Sequence, residues 1–232
     1  DPAGGRERLV FHLQSSLPAT DPAGDVPSGF SASNDYLDYW NSFYWDKAAM
    51  ATAPGDYSAA VQTNWMLAND VSYGHAMARP VPHSIKRPLQ RRVWYRYPGQ
   101  STSHHTLGTG GAKPSLIGQV VDGGASQVTT VTYNVQGLVT SRIDPIGRQT
   151  TFTYTANGLD LLSVQQVRSG GTDVLQTAAD YTARHLPQTL TDAAGQTTTV
   201  TYNTLGQPLT MTNALSQTTT YSYEAVTQQL VS

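Results

Sequence analysis

The chain has 232 residues, of which 13% are charged, with a formal net charge of -2 and no cysteine. That balance excludes a disulfide framework and cysteine-ligated metal sites, and it argues against a nucleic-acid partner, which needs many Lys and Arg to neutralise phosphates. No apolar run approaches the ~20 residues required to cross a bilayer, and the opening DPAGGRERLV lacks the apolar centre of a signal peptide.

Taken in chain order, the first element is short. Asp1 and Phe11 stand ten residues apart with Gly4 between them, a spacing that returns in the C-terminal half, so residues 1–11 read as part of a repeat. Residues 12–127 show no such unit and are either an insertion between repeats or strands whose repeats have decayed. Within them, residues 34–45 (NDYLDYWNSFYW) are dense in aromatics. Such a cluster is either core or, if exposed, a binding surface; Trp40, Tyr44 and Trp45, with Asn41 and Asp46 nearby, are the candidates for holding a sugar. In PGDYSAAVQTNWMLAND (54–70), Asp56 suits a helix cap, and Tyr57, Ala60, Val61, Trp65 and Ala68 recur at helical spacing. A short amphipathic helix is therefore expected around residues 56–68.

Residues 86–96 gather Lys86, Arg87, Arg91, Arg92 and Arg96, read as a strand edge protected by charge. RRVWYRYPG (91–99) alternates and ends in a Pro-Gly turn, the polar, glycine-rich stretch 99–115 reads as a long loop, and SLIGQVVD (115–122) and VTTVTYN (128–134) read as strands. His104 and His105 are neighbours in that loop, and His75 and His83 lie near prolines; all four read as solvated loop histidines. No metal, cofactor, nucleophile elbow or phosphate-binding loop is called for by these patterns.

From residue 128 onward the chain repeats. Tyr133, Tyr154, Tyr181, Tyr202 and Tyr223 are separated by 21, 27, 21 and 21 residues, and the long interval contains RSGGTD (168–173), a natural six-residue insertion. Asp144, Asp192 and Asn213 each precede a repeat tyrosine by ten residues, and Gly147 and Gly195 follow the aspartates by three. Gly137 and Gly206 mark a second turn after the tyrosine, in YNVQG and YNTLG. Apolar residues two positions before each tyrosine (Val131, Phe152, Ala179, Val200, Tyr221) alternate with polar ones directly before it (Thr132, Thr153, Asp180, Thr201, Ser222). Alternation of period two marks a half-buried strand, and two turn signals per repeat make each unit one β-hairpin. The facing of the second strand, where Leu190 and Met211 align with Arg142, is not set by this pattern.

These stretches, above all YNVQGLVTSRIDPIGRQTTFTY (133–154) and YNTLGQPLTMTNALSQTTTYSY (202–223), resemble the YD repeat of the Rhs family, which includes Rhs polymorphic toxins, toxin-complex C components and the teneurin shell. The resemblance implies a mainly β fold in which repeated antiparallel hairpins form a spiralling sheet, a hollow shell around a C-terminal toxin. The implied partners are the rest of that shell, its toxin domain, and a type VI secretion system or toxin-complex carrier; the implied setting is a secreted or cell-surface bacterial protein. Asp144 and Asp192 match the repeat's turn and not the family's self-cleaving core, so no enzymatic role is carried over. The alternative function is an extracellular carbohydrate-binding or adhesion module. Because the chain starts and stops within repeats, it is expected to be a piece of a longer protein with strand edges at both ends.

Overall fold

The computed structural model describes residues 5–14, 26–30, 39–70, 75–100, 106–108 and 110–231. The architecture is an open antiparallel sheet of 15 strands whose order in the sheet is their order in the sequence. Such a meander needs only local connections, so each strand can pair as soon as the chain turns back. The chain divides into two compact units, Asp1–Thr130 and Val131–Ser232.

The first unit holds β1 (Arg8–Gln14), β2 (Tyr39–Trp45), helix α1 (Lys47–Thr52), β3 (Val61–Asp70), β4 (His75–Lys86), β5 (Val93–Arg96), β6 (Leu116–Val120) and most of β7 (Ser126–Tyr133). Among the described residues of 12–127, the regular structure is thus mainly strand. The loop reading of 99–115 falls partly on residues 101–105 and 109, outside the described residues, as do His104 and His105. Thr106 bridges Leu67 in parallel.

Two sequence expectations fail here for one reason. The helix expected around 56–68 is a three-residue 3₁₀ turn, Tyr57–Ala59, followed by β3. Asp56 does cap that turn, its carboxylate accepting from the Ser58 amide at 2.8 Å. The true helix is α1, capped by Asp46, whose Oδ1 accepts from the Ala49 amide. In β3 the buried side chains are Gln62, Asn64, Met66 and Leu67, the first three an alternation of period two. Two of those three are polar, so a reading based on apolar spacing follows the wrong face and finds a helical stripe instead.

The charged edge at 86–96 also fails. β5 pairs with β4 on one side and β6 on the other, so it is an interior strand. Arg92 is buried, donating to Ser84 Oγ at 2.8 Å and to Gln62 Oε1 at 2.9 Å, with its guanidinium 5.8 Å from the Trp94 ring centroid. The Gln62 and Asn64 side-chain amides each reach Asn41 Oδ1 at 3.3 Å. A buried guanidinium is tolerated only with such partners. Nor is His83 a solvated loop residue: it is buried in β4, edge-on to Trp94 with ring centroids 5.4 Å apart. His75 opens the same strand.

Beside this polar layer lies an aromatic one. Phe43, Trp45 and Ala60 form a buried cluster, with Val10, Ala49 and Met50 packed on it. Tyr57 closes it, its ring meeting those of Phe43 and Trp45 at 4.7 and 5.3 Å in edge-on geometry. The Trp45 indole N–H donates to the Asp56 carbonyl at 2.7 Å, satisfying the one polar atom that burial would strand.

The second unit holds β8 (Val139–Ile143), β9 (Gln149–Tyr154), β10 (Leu161–Arg168), β11 (Gly171–Tyr181), β12 (Pro187–Asp192), β13 (Thr197–Tyr202), β14 (Pro208–Thr212) and β15 (Thr218–Thr220). Its buried hydrophobics are only Val131, Ala178 and Val200.

Candidate functional site

The repeat is the feature of this chain with a recurring, checkable geometry. Tyr154, Tyr181 and Tyr202 are the last residues of β9, β11 and β13, and Tyr133 ends β7. Tyr223 lies just past β15, in a bridge with Leu230. Each phenol from Tyr154 onward donates to a main-chain carbonyl at the start of a neighbouring strand: Tyr154 to Val139 at 2.8 Å, Tyr181 to Leu161, Tyr202 to Pro187 at 2.8 Å and Tyr223 to Pro208 at 3.0 Å. Apart from the Tyr181 case, which spans the longer repeat, the acceptor lies 15 residues back. The tyrosine thus pins the open end of its own hairpin, tying the end of the second strand to the start of the first. The acceptor positions were not singled out from sequence, although a signal exists: Val139, Pro187 and Pro208 each follow the previous repeat tyrosine by six residues.

Both turns of the unit have one construction. The side-chain oxygen of an Asn or Asp accepts from main-chain amides two and four residues on: Asn134 from Gln136 and Leu138, Asp144 from Ile146 and Arg148, Asp192 from Ala194 and Gln196, Asn203 from Leu205 and Gln207, and Asn213 from Leu215 and Gln217. A type I turn followed by one left-handed residue has this form. That residue is Gly137, Gly147, Gly195 or Gly206, with φ between 78° and 88°. His185 and Ser216 take the same place at 60° and 61°, so the turn imposes the conformation even where glycine is missing. After Tyr154 and Tyr181 a threonine, Thr155 or Thr182, stands in place of Asn, and the Thr182 hydroxyl accepts from Arg184 and Leu186 at a longer 3.3 Å.

The rim that carries the tyrosines is also tied sideways. Asn134 Nδ2 donates to the Gly158 carbonyl at 2.7 Å and Gln136 Nε2 to Asn157 at 3.0 Å. Arg184 reaches the Leu205 carbonyl at 3.4 Å and Gln207 that of Gln228 at 3.0 Å. His185 Nδ1 lies 2.8 Å from the buried Asp160 carboxylate.

The facing expected around the tyrosines holds for Val131 and Val200, which are buried, and for the exposed Thr132, Thr153, Thr201 and Ser222. It fails at Ala179. Asp180 has φ 55°, which breaks the in-out alternation so that Ala178 is buried instead, while the pairing with β12 runs on unshifted. The second strand, undecided from sequence, is settled by pairing: Met211 opposes Val200, and Leu190 and Arg142 oppose Thr198 and Thr150, all on the tyrosine face. The other face pairs hydroxyls across strands, Thr132 with Thr140 at 2.8 Å, Thr201 with Thr210 at 2.6 Å and Thr212 with Thr218 at 2.8 Å.

Electrostatics follow this placement. Burial pushes the phenols of Tyr133, Tyr154, Tyr181 and Tyr202 above their ordinary value, and the Asp160 charge adds to this at Tyr181. Burial pushes Asp144 upward, but the hydrogen bonds from the Arg148 side chain and amide and from Ile146 outweigh it and hold the carboxyl low.

The RHS repeat family matches residues 123–171 and 181–217, with the break falling in the lengthened β10–β11 hairpin. Those residues carry RHS repeats. No curated protein matches the chain. Among solved structures, TcdB2–TccC3 with Cdc42 is 10% identical with a TM-score of 0.48, covering 82% of this chain and 10% of that one. The Photorhabdus luminescens Tc holotoxin pore is 11% identical with a TM-score of 0.44, covering 81% and 10%. This chain therefore spans about a tenth of the length of those solved chains. Four of the repeat tyrosines, Tyr133, Tyr154, Tyr181 and Tyr202, lie within the matched residues, whereas the sugar-binding candidates divide between the two faces of β2. Trp45 points into the core, Asn41 is buried and Asp46 caps α1, leaving Trp40 and the exposed Tyr44. Among the described residues no group of three or more His, Asp or Glu side chains is placed to hold a metal, and no helix is long and apolar enough to cross a membrane.

Proposed function

We propose that this chain is a wall segment of an Rhs-type shell, and that the longer bacterial protein to which it belongs encloses a toxin domain and delivers it outside the cell, through a secretion system or a carrier subunit. The observation that carries this reading is the RHS-repeat array, in which a tyrosine hydroxyl pins the open end of each hairpin and strand pairing joins one hairpin to the next. A wall of this kind grows by repetition, because each unit is satisfied by its neighbours and no central core has to be filled. The role is enclosure, and the repeat aspartates serve the turns.

The test uses the longer protein. Its cargo domain should resist a protease concentration that digests the same domain expressed alone. Equal digestion of the enclosed and the free domain would overturn the shell reading.

A further inference from the structure

We infer that β1 and β2 carry a stacking platform for a neutral hexopyranose polymer, formed by Phe11, Trp40 and Tyr44. The two strands have unlike faces. On one, Phe43 and Trp45 are fully enclosed. On the other, Phe11 is 51% exposed, Leu9 69% and Tyr44 37%, although these residues are no more polar. Register places Leu9 opposite Tyr44 and Phe11 opposite Ser42, so the side chains make one strip. The Trp40 ring joins it, 6.2 Å from that of Phe11. Trp40 does so with φ 57°, which a bulky residue adopts only when its surroundings over-determine it, a condition that concentrates at ligand sites.

Neighbouring exposed apolar side chains on one face suit a contact surface, and the polar groups set among the rings indicate for what. The Tyr44 phenol is held above its ordinary value by burial and by the Glu7 carboxylate, to which it is hydrogen-bonded. Ser42 Oγ accepts the Trp65 indole N–H at 3.0 Å beside Phe11. A pyranose ring presents an apolar C–H face rimmed by hydroxyls, so it stacks on an aromatic while a carboxylate and hydroxyls receive its rim. A dry protein interface would strand the Glu7 carboxylate without water. A single-stranded nucleic acid also stacks on aromatics but needs cations along its phosphates, whereas Tyr44 feels two acids, Glu7 and Asp46, against the one cation Lys47.

Affinity electrophoresis of the chain in native gels containing hydroxyethylcellulose or glycol chitin tests this. The unaltered chain should be retarded by at least one of these polymers. Phe11→Ala should weaken the retardation at least tenfold and Glu7→Gln about threefold, with circular dichroism and Tm confirming that each variant is folded. Glu7 is exposed, so its variant keeps the test decisive if Phe11→Ala does not fold. Absence of retardation by both polymers, retardation unchanged in Glu7→Gln, or binding only to a single-stranded oligonucleotide would overturn the proposal. The outcome is independent of the protease test of enclosure.

Discussion

The two units of this molecule are made of the same antiparallel strands and are stabilised in different ways. The first buries large side chains, Phe43, Trp45, Met66 and Trp94, and runs a polar layer from Asn41 through Gln62 to Arg92 beside them. The second buries little beyond Val131, Ala178 and Val200 and relies on main-chain pairing, Asx turns and the tyrosine closures. Removing a side chain from a core costs transfer energy plus a cavity, whereas removing one member of a repeated hydrogen-bond set costs a single small increment. The first unit should therefore be sensitive to single substitutions and the second tolerant of them.

The largest expected effect tests the first half of that contrast. Trp45→Ala should destabilise the first unit by about 3–5 kcal/mol, read in urea unfolding, while amide exchange in residues 131–231 stays unchanged. A loss spread evenly over both units would erase the contrast. Next, Arg92→Ala leaves Ser84 and Gln62 buried without their donor and should cost about 2 kcal/mol.

In the second unit Tyr202→Phe keeps the ring and removes the hydroxyl bond to Pro187, so a loss of about 1 kcal/mol is expected. The same closures set an alkaline limit. The phenols of Tyr133, Tyr154, Tyr181 and Tyr202 are raised above 10.0 in the folded chain. Their contribution is thus complete below pH 10 and is lost as pH climbs through the raised values. Circular dichroism of the unaltered chain should show the repeats melting at lower temperature once the pH passes about 10, and a flat Tm across that range would remove burial of the phenols as a factor. Smallest of all, Thr201→Val breaks an exposed hydroxyl pair with Thr210 and should change stability by less than about 0.5 kcal/mol.

The same contrast governs how much was legible in the sequence. In the repeats, Asn or Asp with Gly three residues later marks a turn wherever it occurs, and alternation before each tyrosine reports a solvated face. Both signals are local, so the hairpins could be read directly. Ala179 was misplaced because the left-handed Asp180 has no mark of its own. In the first unit the locality is gone. Gln62, Asn64 and Arg92 are buried only because strands brought from 8 to 30 residues away supply their partners, and composition labels them surface residues. That is why a strand was read as a helix and an interior arginine as an edge. The sequence left residues 34–45 open between core and surface; the pleat decides it, turning Trp45 inward and leaving Trp40 and Tyr44 on the face that Phe11, read as a repeat residue, shares.

The register of the repeat sheet is the measurement that bears most directly on all of this. The chain has no cysteine, so a pair introduced at Thr199 and Thr212, which oppose each other in β13 and β14, reports on that register alone. The expected result is that Thr199→Cys with Thr212→Cys forms a disulfide under mild oxidation, while Thr199→Cys with Met211→Cys does not. A one-residue slip moves every side chain to the opposite face. Closure of the 199–211 pair in place of 199–212 would therefore contradict the tyrosine array.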